Sequence, residues 1–302
     1  MNAIEVLNLS KSYNKDTIAL KDITFDVPKG SIFGFLGPNG AGKTTLVRTL
    51  NGILYPTQGS GKILGKDIIN DRKEIRNLCG VMTENAGIYE NLTCMENLNF
   101  FGKMFGLNND DINKRSLYLL NEFKLLDSKD KKVKTFSTGM KKRLSLIRTL
   151  LNSPKILFLD EPTSGLDPES SKIVLDFIKK TALEEDVTVF LCTHQLKYAE
   201  EICNLYGFIS KGNLIGYGTF NELLSNKNQN IKLEIKGINL PNIDNMKKIK
   251  EDRYVISIDN EDNIPNILQQ IFIKGGKIYE AKQIHWDLED LYFAYQRGDN
   301  NE

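Results

Sequence analysis

The stretch Gly37-Pro38-Asn39-Gly40-Ala41-Gly42-Lys43-Thr44 constrains this chain more than any other. Glycines at 37, 40 and 42 let successive backbone N–H groups point inward, in conformations that a side chain forbids. The spacing GxxxxGK[ST] is that of the Walker A phosphate loop. Just before it, Ile32 to Leu36 is almost wholly apolar, as expected of a strand buried on both faces. From Thr44 to Leu50 the pattern is helical. Strand, loop and helix in that order put residues Gly37 to Thr45 at a helix N-terminus, where the helix dipole adds to the attraction for phosphate. Lys43 is expected to reach the terminal phosphates and the Thr44 hydroxyl to ligate Mg²⁺. A chance glycine turn is the alternative, and the flanking strand and helix weigh against it.

A second signal is Ile156-Leu157-Phe158-Leu159-Asp160-Glu161, a buried strand that delivers two carboxylates at its end. Asp160 is expected to hold the Mg²⁺, directly or through water, and Glu161 to polarise the attacking water as general base. A lone Asp-Glu also reads as an acidic helix cap; a phosphate loop earlier in the chain makes that reading weaker. Val187 to Cys192 is a further apolar run. Between the two runs Ile173, Val174, Phe177 and Ile178 share one helical face. Strand, helix and strand at this spacing imply a parallel sheet with crossover helices. The segment from about 86 to 135 is mostly helical and polar-rich.

After about Asn226 the texture changes. Ile231, Leu233 and Ile235 alternate with Lys232, Glu234 and Lys236, and Tyr254, Ile256 and Ile258 repeat the alternation. Ile264, Ile267, Leu268 and Ile271 have helical spacing, Lys277 to Ile284 reads as a strand, and Asp287 as the cap of a last helix through Tyr295. The division expected is 1–226 for an α/β domain and 227–302 for a small α+β domain, within a chain of 302 residues. His285 and Trp286 read as packing residues.

Forty basic and thirty-nine acidic residues leave a net charge of +1, so no global field points to nucleic acid or anionic lipid. The run Lys129-Asp130-Lys131-Lys132 reads as solvated loop. Cys79, Cys94, Cys192 and Cys203 are scattered, without a CxxC pair or a histidine cluster, which suits buried thiols in a reducing compartment. Neither a signal peptide nor an apolar run of membrane-spanning length is visible, so a soluble, cytoplasmic chain is expected.

Phe136-Ser137-Thr138-Gly139-Met140-Lys141-Lys142-Arg143 discriminates among the many nucleotidases that share the first two motifs. Here the chain resembles the ABC ATPase family, whose signature is LSGGQ followed by a basic helix. Ser137 and Gly139 match, whereas Phe136, Thr138 and Met140 depart from the consensus, as in the drug and bacteriocin exporter branch. A serine at a helix N-terminus with exposed backbone is an anion site; a plain Ser cap is the alternative, against which stands its place 23 residues before Asp160. The resemblance runs from Ile4 to about Leu224, about three quarters of the chain.

That resemblance implies the ABC type of P-loop fold, with an antiparallel β-subdomain and a helical subdomain, and it implies ATP and Mg²⁺ as ligands. Ser164-Gly165-Leu166-Asp167 resembles the D-loop that crosses the dimer interface. His194 matches the switch histidine on the γ-phosphate, and Tyr13 the aromatic that stacks on adenine, with a packing tyrosine as the alternative. Glu84 stands where a glutamine normally ligates Mg²⁺ and senses the membrane partner, a variant similar to lantibiotic and bacteriocin immunity exporters; an alignment slip is the alternative. The family works as two chains head to tail, sandwiching two ATP molecules, each between Walker A of one chain and Ser137/Gly139 of the other. A homodimer suffices here, driving a separate transmembrane permease, and no nucleic-acid partner is expected. Export is favoured, with an importer ATPase, a clamp on DNA or ribosome, and a non-hydrolysing ATP-gated module as alternatives. DNA-repair versions insert long coiled coils between Walker A and the signature, yet 94 residues separate Lys43 from Ser137.

Overall fold

The computed structural model describes residues 1–14, 17–83, 87–227, 231–243, 245–258, 260–284 and 286–299. It divides into two compact units: Met1–Phe220 together with the residues from Tyr295 onward, and Asn221–Ala294.

The first unit opens with β1 (Asn2–Ser12), β2 (Ile18–Pro28) and β3 (Ile32–Leu36), followed by α1 (Lys43–Leu50), β4 (Gln58–Ile63) and β5 (Lys66–Asp67). Then come α2 (Arg72–Leu78), β6 (Cys79–Met82), α3 (Cys94–Met104), α4 (Asn109–Glu122) and α5 (Thr138–Leu150). The sequence closes through β7 (Ile156–Asp160), α6 (Pro168–Glu184), β8 (Thr188–Thr193), α7 (Leu196–Ile202), β9 (Leu205–Ser210) and β10 (Asn213–Gly218).

One sheet has the order β10-β9-β3-β8-β7-β6, parallel except for the β9–β10 pair. Every residue of β3, β7, β8 and β9 is buried, which is why these strands read as apolar runs. A second, antiparallel sheet has the order β2-β1-β4-β5. Its Phe25 meets Phe33 of β3 at 5.2 Å between ring centroids, and Phe33 meets Phe190 of β8 edge-on at 5.1 Å. These rings join the two sheets in one core. Gly207 makes room for them, because a Cβ there would come within 2.7 Å of Phe33.

Between Ala86 and Thr135 the helical expectation resolves into α3, α4 and two short 3₁₀ turns. Thr93 and Glu96 form a reciprocal capping box at the start of α3, with hydrogen bonds of 3.1 and 2.7 Å. Gly102 lets α3 approach α4, since a Cβ there would lie 2.5 Å from Ile112. The lysine run at 129–132 is pinned by its backbone: Lys131 O accepts from Cys94 N at 3.1 Å and Lys129 O from Met95 N at 2.8 Å.

The second unit holds β11 (Ile231–Ile238), β12 (Met246–Lys250), β13 (Arg253–Ile258), α9 (Ile264–Ile273) and β14 (Lys277–Ile284). Its antiparallel sheet has the order β12-β13-β11-β14. Leu233, Ile235, Ile256, Ile258 and Ile271 form its core. β12 escapes a pattern reading because Met246-Lys247-Lys248-Ile249-Lys250 is a lysine-rich edge strand without alternation. Lys232 Nζ lies 4.5 Å over the Trp286 ring, while His285 falls outside the described residues. The short α8 (Phe220–Asn226) precedes this sheet, and the last helix, α10 (Leu288–Asp299), runs past Tyr295. Tyr295 meets Phe208 of β9 edge-on at 5.4 Å and covers Gly216 of β10, where a Cβ would come within 2.8 Å of its ring.

Candidate functional site

β3 ends at Leu36, and the chain turns through Gly37 to Gly42 into α1. Gly42 caps that helix at φ 114°, and no side chain caps it. The first-turn N–H groups are therefore left for an anion. Two glycines are required for different reasons. A Cβ at Gly37 would sit 2.4 Å from the Ile209 carbonyl oxygen, and one at Gly42 would lie 2.5 Å from that of Ala19.

Lys43 is 6% exposed, and its ammonium donates to the carbonyl oxygens of Gly37 at 2.6 Å and Pro38 at 3.2 Å. It lies 4.0 Å from Glu161 Oε1. A phosphate oxygen carries a charge that these carbonyls lack, so it competes well for the ammonium. Thr44 donates its hydroxyl to Asp160 Oδ2 at 2.8 Å, bringing the two Mg²⁺ candidates together from α1 and the end of β7. Hydroxyl, carboxylate and phosphate oxygens are the hard donors that Mg²⁺ takes, with water completing the shell. The residues present fit the ion.

Glu161 follows Asp160 with a left-handed backbone, φ 51°, which is uncommon outside glycine. Glu161 is 6% exposed, and both of its carboxylate oxygens accept hydrogen bonds. Oε2 accepts from the Thr193 hydroxyl at 2.9 Å; Oε1 accepts from the His194 backbone N–H at 3.0 Å and from ring Nδ1 at 2.7 Å. Thr193 belongs to no motif in the sequence; its place at the end of a buried strand, next to His194, is the signal it offers. Gln195 N donates to the same Thr193 hydroxyl at 3.0 Å, and Thr163 donates its hydroxyl to Gln195 Oε1 at 2.6 Å.

A cleft of about 330 Å³ is lined by Asn39, Gly40, Gly42, Lys43, Thr44, Thr45, Asp160 and Glu161, with Tyr13 and Thr17 to Ala19 at its side. Pro38 and Ala41 complete the loop; Ala41 N donates to Pro38 O at 3.2 Å. The half-exposed Tyr13 shares a hydrogen bond of 3.1 Å between its hydroxyl and that of Thr45. Ser137 and Gly139 are not among the lining residues. Ser137 caps α5, accepting from Met140 N at 3.2 Å, and is exposed; Gly139 is buried against Ser170 of α6. Asp167 caps α6, and hydrogen bonds from the Ser170 backbone and hydroxyl hold its carboxyl below the usual range. Glu84 lies outside the described residues.

A buried lysine facing a glycine-rich loop, with a carboxylate pair across the cleft, defines a P-loop nucleotidase. The family model described as ABC transporter matches residues 20–164. The linearmycin resistance ATP-binding protein LnrL of Bacillus subtilis is 35% identical over 242 residues, 78% of this chain and 76% of its own. Nod factor export ATP-binding protein I of Ralstonia nicotianae is 35% identical over 238 residues, 79% of this chain and 74% of its own. Among solved structures, CbiO1 of Clostridium perfringens, part of the ABC transporter complex CbiONQ, superimposes with a TM-score of 0.68 at 29% identity, over 75% of this chain and 92% of that one. The chain belongs to the ABC transporter family, as its ATP-binding and ATP-hydrolysing subunit.

Proposed function

We propose that two copies of this chain close head to tail on two ATP molecules and thereby drive export through a separate transmembrane permease. The observation that carries the reading is that the cleft is half a site: it holds Lys43, Thr44, Asp160 and Glu161, whereas the anion-ready cap of Ser137 and Gly139 lies elsewhere on the chain. A second copy supplies the missing wall without any new element.

In this reading the backbone N–H groups from Gly37 to Thr45, with Lys43, hold the β- and γ-phosphates, and Tyr13 takes the adenine on its ring face. Thr44 and Asp160 hold Mg²⁺, which supplies charge neutralisation on the phosphates when bound. Glu161 polarises the attacking water, and His194, its Nδ1 engaged by Glu161, turns Nε2 toward the γ-phosphate.

The likeness to ATP-binding proteins named for linearmycin resistance and Nod factor export supports export of a drug, peptide or similar molecule. CbiO1, as part of a transporter complex, supports a permease partner. No helix among the described residues is long and apolar enough to cross a membrane, which supports attachment to the cytoplasmic face through that permease. Tyr89, Phe100 and Met104, all exposed at the start and along α3, offer an apolar surface for it. Residues 221–294 are an accessory domain.

The test is oligomeric state with nucleotide. Glu161→Gln with ATP and Mg²⁺ is expected to elute as a dimer, and cysteines placed at Asn39 and Thr138 to crosslink between chains. A monomer at saturating ATP overturns the reading.

A further inference from the structure

Lys141-Lys142-Arg143 is the basic stretch that follows the signature residues Ser137 and Gly139. In the structure the three cations do not form an anion patch; they fan out around α5 in three directions, as successive residues on a helix must. Lys141 pairs with Glu90, ahead of α3, at 2.5 Å. Arg143 donates to the Phe123 carbonyl oxygen, at the end of α4, at 2.9 Å. Lys142 donates to the Ser164 carbonyl oxygen at 3.1 Å, in a half-buried contact.

Ser164 belongs to the turn that begins at Glu161. Ser164 N donates back to Glu161 O at 3.3 Å, and Leu166 N donates to Thr163 O at 3.2 Å. The turn carries two left-handed residues, Glu161 at φ 51° and Gly165 at φ 74°. It ends at Asp167, whose side chain caps α6 through Ser170. The same helix α5 touches this segment a second time, where Gly139 abuts Ser170: a Cβ on Gly139 would lie 3.1 Å from Ser170 Oγ. The first turn and a half of α5, capped by Ser137, is thus held to the Glu161 turn by the Lys142–Ser164 hydrogen bond and lies close against α6 at Gly139.

We infer that Lys142 is a positioning residue that ties the phosphate-facing end of α5 to the Glu161 turn of the same chain. It makes the grip of Ser137 on one ATP felt at the base serving the other. The inference rests on the head-to-tail reading, in which Ser137 and Glu161 of one chain serve two different nucleotides. The tie is well suited to this role. A neutral carbonyl accepts a charge-assisted bond that orients the turn, whereas an ion pair at the surface would be screened.

The experiment compares Lys142→Met, which keeps the apolar stem and removes the donors, with Lys142→Arg, which keeps a donor. ATP hydrolysis is measured against ATP concentration for each, alongside nucleotide binding and thermal unfolding. The expected result for Lys142→Met is a Hill coefficient falling to about 1 and a kcat lower by roughly tenfold, with ATP affinity unchanged. Lys142→Arg is expected to recover most of the cooperativity. A packing role alone would change unfolding temperature without moving the Hill coefficient. If the wild-type chain is cooperative and Lys142→Met is equally so, the tie is overturned and the dimer reading stands. If the wild-type chain neither dimerises nor shows cooperativity, both are overturned.

Discussion

Glu161 and His194 are joined twice, through ring Nδ1 at 2.7 Å and through the backbone N–H at 3.0 Å, both to the same carboxylate oxygen. With the Thr193 hydroxyl on the other oxygen, three donors fix the carboxylate before nucleotide closes the site. In the proposed role of Glu161 as base this arrangement is preorganisation: the carboxylate does not have to find its orientation at the moment of reaction.

Replacing Glu161 with Gln keeps this geometry, because the amide oxygen accepts from His194 while the Thr193 hydroxyl reverses to accept from the amide N–H. Steady-state phosphate release is therefore expected to fall by roughly 10²–10⁴, with ATP affinity by fluorescent-analogue titration unchanged. Near-normal hydrolysis would remove Glu161 from the role of base.

Removing the ring in His194→Ala leaves the backbone N–H and Thr193 in place and lets Oε1 wander. A loss of about 10²-fold in kcat is expected from misorientation, with a smaller effect on KM. Unchanged kcat would make His194 a bystander.

Gly37 tolerates no side chain. Gly37→Ala pushes a methyl group into the Ile209 backbone, which cannot swing aside as a side chain can. The expected outcome is a loss of about 1–3 kcal/mol in denaturant unfolding, together with weakened ATP binding as the loop shifts. Gly40→Ala is the contrast: a Cβ there meets nothing within 4 Å, so only its φ of 82° resists the change.

All four cysteines are buried and unpaired by disulfide. Burial pushes the Cys79 and Cys94 thiols up from 9.0 to about 12. Native protein at pH 8 is expected to resist a thiol reagent that labels four sites after unfolding. The sign for stability follows. Above pH 9 the unfolded chain releases these protons while the native chain keeps them until about 12, so stability falls with rising pH across that window. Unfolding temperatures that hold steady from pH 8 to 11 would contradict it.

The phosphate loop, β7 and the alternating strands of the second unit were legible because each rests on local chemistry. Glycine permits a backbone, apolar runs mark two-sided burial, and period-two alternation marks one-sided burial. What stayed hidden depends on partners distant in the chain. Thr193 becomes important only because β7 and β8 lie side by side, with Asp160 opposite Cys192. The fate of Lys142 depends on where α5 crosses the turn after Glu161. Nor does anything local announce a left-handed glutamate; the β7–β8 register imposes it, Glu161 N donating to Cys192 O at 2.9 Å.

Tyr295, placed on Phe208 and over Gly216, makes the first unit discontinuous in sequence, with the sheet of the second unit inserted between its two pieces. During synthesis the nucleotide-binding unit therefore waits for the residues from Tyr295 onward, made after the whole second unit, before that wall is in place. Shortened versions that stop at the end of α8 leave an aromatic surface bare, a recipe for sticky, slowly maturing protein rather than a clean minimal cassette.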